Sequence, residues 1–256
     1  MEETVRLNKF LSEKGICSRR EADRLIEAGK VTIDGRKAQM GEKVTGQEVI
    51  VCDGKPVGKA AGGKKVKPVL LVVNKPRGVV CTTSDKDRAV NVVDLIQYPA
   101  RVYPVGRLDK DSEGLLLMTN QGELANEIMH AGNFHEKEYL VTVDQPFNAA
   151  FLKKMREGVE LKELGVTTRP CQVEATGMKS FKIILTQGLN RQIRRMCAEL
   201  GYRVVTLKRI RIMNIHLGKL NTGDFRRVTP QEMEELEWQL EQARLEREEL
   251  LEGGDE

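Results

Sequence analysis

In the stretch YPVGRLDKDSEGLLLMTNQGEL (103–124), Asp109, Asp111 and Glu113 stand at alternate positions ahead of Gly114, and Arg107 stands two residues before the first of them. Carboxylates so spaced can ligate a cation, shape a turn or react. A calcium loop beginning at Asp109 would need a bidentate glutamate at its twelfth position and a polar or water-mediated ligand at its ninth. The chain offers Asn120 and Leu117 there, so a metal site is not expected, although the glycine at the sixth position fits. Asp111, Ser112 and Gly114 are ordinary turn residues ahead of an apolar strand at Leu115–Met118. That reading leaves Arg107 and Asp109 without a purpose.

The elements that must position these residues show in the apolar spacing. Leu7, Phe10 and Leu11 share one helical face, and Gly15 ends that helix. Ser18 with Glu21 three residues later has the spacing of a capping box, and Ala22, Leu25 and Ile26 supply the stripe of a second helix up to Gly29. Val31-Thr32-Ile33 and the Asp34-Gly35 turn predict a hairpin. From Gly54 to Pro68 the sequence GKPVGKAAGGKKVKP holds five lysines, four glycines and no acidic or aromatic residue, the composition of a flexible basic linker. Its GKAAGGKK resembles a phosphate-binding loop, but Lys65 stands where a magnesium-binding Ser or Thr belongs and no strand precedes it, so no nucleotide site is expected.

Beyond the linker the pattern predicts strands at Val69–Val73, Tyr139–Val143, Cys171–Glu174 and Phe181–Thr186. Helices are predicted between them at Leu124–His130, Ala149–Glu157 and Arg191–Leu200, the mixture of an α+β domain on a mixed sheet. From Thr229 or Pro230 a periodic Met233, Leu236, Leu240 series reads as a helix packed through one edge and otherwise solvated. The expected organisation is a small amino-terminal domain over 1–54, a linker over 55–68, a larger domain over 69–229, and an acidic helix and tail over 230–256.

Charge narrows the class of partner. Residues 230–256 carry eleven acidic and two basic side chains, which leaves +13 on the other 229 residues against +4 for the whole chain. A body so basic points to a polyanion such as nucleic acid. Aromatics make up only 4% of the chain, which argues against a long stacking platform for single strands and for recognition of folded RNA by shape and backbone. The five cysteines form no CxxC pair and histidines number three, so reduced thiols, a cytoplasmic setting and no metal are expected. MEETVRLNKF has no apolar targeting region, and the longest aliphatic runs fall far short of a membrane span.

VGRLDKDSEGLLLMTNQGEL, HEKEYLV and LTQGLNRQIRRM, in this order, resemble the three motifs of the RsuA-type pseudouridine synthases, and the first fifty residues resemble the α-L RNA-binding module that precedes that catalytic domain. HEKEYLVTVD and TQGLNRQIRRMC are most similar to the RluF branch, with RluB and RluE as neighbours. The resemblance implies a largely antiparallel mixed sheet and an enzyme that cuts a uridine's N-glycosidic bond, turns the uracil and rejoins it through carbon, without cofactor or nucleotide. Large-subunit ribosomal RNA is the implied partner and a monomer the implied state. A small-subunit enzyme or a non-catalytic ribosome-assembly protein is the alternative.

By the same resemblance Asp109 is the catalytic carboxylate, a nucleophile or base whose ready form at neutral pH is the anion. Arg194 is its bidentate partner and Tyr139 stacks on the target base. Leu185 is an apolar packing position beside the tyrosine, and Arg107 fills the space of the flipped base. Arg191 and Arg195 flank Arg194 and are expected to bind the substrate. Arg19, Arg20 and Arg24, the linker lysines, and Arg203, Lys208, Arg209 and Arg211 are expected to contact phosphates, which orient the RNA without reading bases.

Overall fold

The computed structural model describes residues 4–58, 62, 67–82 and 90–252. Lys64, Lys65 and most of the GKAAGGKK segment lie outside the described residues. The chain divides into two compact units, one made of Met1–Val69, Pro99–Arg101 and Asn120–Gly122, the other of Leu70–Tyr98, Val102–Thr119 and Glu123–Glu256.

The first unit runs β1 (Val5–Arg6), α1 (Leu7–Glu13), α2 (Arg19–Glu27), β2 (Val31–Ile33), β3 (Arg36–Lys37), β4 (Lys43–Val44), β5 (Ile50–Cys52) and β6 (Lys55–Val57). α2 begins where the sequence predicts it, because the Glu21 amide donates to Ser18 Oγ at 3.1 Å and satisfies a first-turn N–H. Asp34 and Gly35 both take positive φ, 49° and 81°, as a two-residue hairpin turn requires. Leu7, Leu11, Ala22, Ile26, Val31, Ile33 and Ile50 form its core. Lys55–Val57, read from sequence as the start of a linker, pairs with β5 as β6 and buries Val57.

The second unit is built on β7 (Leu70–Lys75), α3 (Val92–Ile96), β8 (Tyr103–Val105), β9 (Glu113–Thr119), α4 (Gly122–Met129), β10 (Lys137–Val143) and α5 (Ala149–Glu157), followed by β11 (Glu160–Leu161) and β12 (Val166–Thr167). It continues through β13 (Gln172–Ala175), β14 (Ser180–Leu185), α6 (Gln192–Glu199), β15 (Val204–Ile212), β16 (Ile215–His216), β17 (Phe225–Arg227) and α7 (Pro230–Glu252). Its main sheet has the order β13-β14-β10-β15-β9-β7-β17, with β8 on β9 and β16 on β15. Among the described residues the β9–β15 pair is the parallel one in an otherwise antiparallel sheet, giving the mixed α+β architecture.

One half of the sheet packs against α5 and α6 through Val141, Val143, Phe181, Ile183, Met155 and Met196. The other half packs through Val72, Leu115 and Leu117, with Leu236 and Leu240 of α7 in the same core. α7 starts in a capping box, since the Glu232 amide donates to Thr229 Oγ1 at 3.2 Å while the Thr229 amide donates to Glu232 Oε2 at 2.9 Å. Hydrogen bonds from Arg226 first, and then from Thr229, draw the Glu232 carboxyl down to about 2.

β7 runs two residues past its expected stop. Asn74 and Lys75 are buried because their polar atoms find carbonyls: Asn74 Nδ2 donates to Leu220 O at 2.8 Å, and Lys75 Nζ donates to Pro76 O at 2.8 Å and Val79 O at 2.9 Å. The nine-residue β15 was hidden in what reads as a basic cluster. Among the described residues no helix is long and apolar enough to cross a membrane.

Candidate active site

Asp109 lies in the bend between β8 and β9. Its carbonyl accepts from the Ser112 amide at 3.0 Å, the Lys110 carbonyl accepts from the Gly78 amide at 2.8 Å, and the Leu108 amide reaches Cys81 Sγ at 3.4 Å. Leu108 and Ser112 are buried while the Asp109 side chain stays 32% exposed, so the turn is anchored on either side of a carboxylate that faces out. Gly114 is not part of the turn: it is a β9 residue with φ 100°, and a Cβ there would lie 2.2 Å from Arg209 O on β15. Only glycine permits that approach of two backbones.

The head of α6 supplies the cations. Arg191, in the left-handed region at φ 50°, sets Nη1 3.8 Å from Asp109 Oδ2 and Nη2 3.2 Å from Asp111 Oδ2. The direct partner of Asp109 in this structure is therefore Arg191, where the sequence led to Arg194. Arg194 instead grips the turn, its Nη2 donating to Asp111 O at 3.1 Å and Ser112 Oγ at 3.2 Å. Burial, then the charge of Arg191, pulls the Arg194 guanidinium below its ordinary value, and Asp111 and Asp109 oppose this. Arg195 turns elsewhere, pairing with Glu163 and donating from Nε to Asn190 O at 3.0 Å.

Tyr139 on β10 and Leu185 on β14 face the same cleft as Arg107, Asp109 and Arg191, a space of about 760 Å³ that Leu207, Gln187 and Cys81 also line. Arg107 is exposed at its mouth, whereas Leu185 is buried in the wall. Arg194 and Arg195 are not among the lining residues. Arg19, Arg20 and Arg24 are exposed along α2 in the other unit, Arg24 paired with Glu21 at 2.9 Å.

Two of the expected phosphate contacts are engaged within the protein instead, Arg211 half-buried and Arg209 buried. Arg211 Nε meets Glu138 at 2.7 Å and its Nη2 meets Glu136 at 2.8 Å, so its charge is used within the sheet. Arg209 is 4% exposed, donates from Nε to Leu115 O at 2.7 Å, and lines the cleft beside Lys137. Burial, then the charge of Arg209, brings the Lys137 ammonium down to about 8.

The sequence pattern of RNA pseudouridylate synthase matches residues 69–199, and that of the S4 domain matches residues 5–50. The chain belongs to the RNA pseudouridylate synthase family. Such a synthase is an isomerase that turns uridine into pseudouridine within RNA. The chain is 48% identical over 233 residues to the dual-specificity RNA pseudouridine synthase RluF of Escherichia coli K12, across 91% of this chain and 78% of that protein. It is 36% identical to the ribosomal large subunit pseudouridine synthase B of Bacillus subtilis, across 90% of this chain and 95% of that one. A pseudouridylate synthase crystal structure superposes with a TM-score of 0.66 at 28% identity, covering 91% of this chain and 99% of the other.

Within this synthase the family match encloses Asp109, Tyr139, Leu185, Arg191 and Arg194, while Arg209 lies beyond it. Lys137 is a cleft residue the motifs did not mark, and Arg209, expected on phosphates, is buried in the cleft wall. One signal was present: Lys137 stands two residues before Tyr139, and along a strand such residues share a face.

Proposed function

We propose that this pseudouridine synthase modifies ribosomal RNA of the large subunit, with Asp109, Tyr139 and Arg194 as its catalytic set. What supports the reading of the site is the convergence of Asp109, Tyr139, Leu185 and Arg107, from three separated segments, on one cleft. What supports the substrate is the likeness to the ribosomal large subunit pseudouridine synthase B of Bacillus subtilis.

In this reading the target uridine leaves its stack, which costs a few kcal/mol and less in a loop, and Arg107 at the mouth of the cleft takes the vacated space. Tyr139 lies against the base, with Leu185 packing behind it. The Asp109 carboxylate attacks or deprotonates the sugar, Arg191 faces its charge, and Arg194 fixes the turn that carries it. Arg195 borders the site through Asn190. The amino-terminal module over 1–54 positions the RNA, with Arg19, Arg20 and Arg24 on phosphates. The enzyme acts as a cytoplasmic monomer with no cofactor.

Comparing pseudouridine positions in ribosomal RNA from cells that carry wild-type protein, Asp109→Ala protein or none tests this. The expected outcome is at least one large-subunit site present only with wild type. Identical maps in all three would remove the enzyme reading, and a site confined to small-subunit RNA would move the substrate.

A further inference from the structure

We propose that Lys137 and Arg209 form a subsite for the uracil anion, donating hydrogen bonds to the ring's carbonyl oxygens between cleavage of its bond to the sugar and its rejoining through carbon. The proposal rests on the pseudouridine chemistry assigned above and deepens it.

The reaction creates an anion that the sequence-derived catalytic set leaves unattended. When the C1′–N1 bond breaks, its electron pair stays with the ring, and the charge spreads over N1, O2 and O4. The Asp109 carboxylate meets the electron-poor sugar carbon. After the ring turns, C5 bonds to C1′, the carboxylate is released, C5 gives its proton to water and N1 takes one from water, so the sum is an isomerisation. Asp109 and Arg191 attend to the sugar side. A free uracil anion in a cleft that excludes water needs donors of its own.

The sheet places two such donors beside Tyr139. Lys137 and Tyr139 alternate on one face of β10, Arg209 lies opposite Tyr139 on β15, Leu185 lies opposite Lys137 on β14, and all four line the cleft. Arg209 is 4% exposed, and its Nη2 is buried without a hydrogen-bond partner among the described residues. Nε is spent on Leu115 O, so the guanidinium is held in place with its Nη2 nitrogen left over. Among the described residues Lys137 Nζ gives one hydrogen bond, to His135 O at 3.2 Å, and an ammonium has three to give.

Lys75, a buried lysine nearby, differs in that Pro76 O and Val79 O hold it. Two neighbouring cations in a partly desolvated site repel each other, and burial together with the charge of Arg209 lowers Lys137. A ligand that brings negative charge resolves both the spare donor and the repulsion. A backbone phosphate would also do so, but it would be felt in RNA affinity, whereas an anion formed only during reaction is felt in the rate on bound RNA.

The charge on Lys137 gives a second handle. The groups that share its surroundings are Arg209 from β15, Asp109 and Arg107 from the bend, Arg191 from the head of α6, Cys81 after β7, and His135 and Tyr139 on its own segment. With its ammonium at about 8, Lys137 is the cation below that pH and loses the charge as pH rises through it. An arginine in its place stays charged.

The test is single-turnover conversion of large-subunit RNA by wild-type, Lys137→Met, Lys137→Arg and Asp109→Ala proteins across pH 6.5–9.5, an interval of about three units around the lysine's titration, with RNA affinity measured for each. Lys137→Met should slow conversion of bound RNA by about a hundredfold, with affinity within about threefold. Lys137→Arg should recover most of the rate and abolish the fall that wild type shows above pH of about 8. Wild-type speed in Lys137→Met, a loss of affinity without loss of rate, or an alkaline fall unchanged in Lys137→Arg would each overturn the subsite. If wild type itself makes no pseudouridine, it is the functional reading that fails; if only Asp109→Ala is inactive, the subsite alone fails.

Discussion

Arg191 and Arg194, one helical turn apart, divide the work around Asp109. Arg191 is exposed and meets two carboxylates across 3.8 and 3.2 Å, a geometry that orients charge and adds little stability. Arg194 reaches inward to Asp111 O and to the hydroxyl of Ser112, a residue with no exposed surface. Removing it leaves that hydroxyl unpaired at a cost of about 1–3 kcal/mol and frees the turn. Arg194→Met should therefore lower the melting temperature by about 3–10 °C and slow conversion of bound RNA at least about a hundredfold. Arg191→Gln should leave the melting temperature within about 1 °C and slow conversion about tenfold. Thermal melts and single-turnover rates on the same preparations check this; equal melting losses would show that the division is not there. The motif marked which residue types meet at Asp109, but which arginine touches the carboxylate depends on the left-handed turn at Arg191, which no spacing rule reports.

At the scale of elements, what could be read locally was read well. Ser18 caps α2, Asp34-Gly35 turns the first hairpin, and α5 spans the predicted Ala149–Glu157, because each depends on neighbours within a few residues. β15 escaped because Lys208, Arg209 and Arg211 interrupt its apolar alternation, and what neutralises Arg211 and holds Arg209 comes from afar, from Glu136 and Glu138 and from Leu115 O. Gly114 escaped for a related reason: beside Asp111 and Ser112 it reads as a turn residue, yet its need arises from a strand about ninety residues on, where the Arg209 backbone comes too close for any Cβ. Gly114→Ala should push β9 from β15 and lower the melting temperature by about 5–10 °C, combining positive-φ strain with a backbone clash. Gly165→Ala, also at positive φ but with nothing within 4 Å, should cost only about 1 kcal/mol. Comparable melting losses in the two variants would place the cost in φ alone and not in the strand approach.

For the molecule as a whole, the near-neutral total of charge hides an opposition with consequences for RNA. The acidic segment is no loose tail over its described length, since Leu236 and Leu240 of α7 are buried in the core of the second unit and fix its glutamates to one face of that unit. RNA is therefore repelled from that face, and attraction has to come from surfaces such as α2, where Arg19, Arg20 and Arg24 are exposed. Each such arginine on a phosphate releases about one counterion, so the slope of log affinity against log salt counts them. Replacing all three by Gln should flatten that slope by about two to three units, nearer two because Arg24 already faces Glu21 at 2.9 Å. Affinity should fall alike for matched and unmatched RNA, while the conversion rate of bound RNA stays at the wild-type value, since these residues position the RNA and take no part at Asp109. Filter binding across a salt series with single-turnover rates decides it: an unchanged slope would show that α2 does not meet RNA, and a slowed rate on bound RNA would show that the first unit contributes to chemistry as well as to docking.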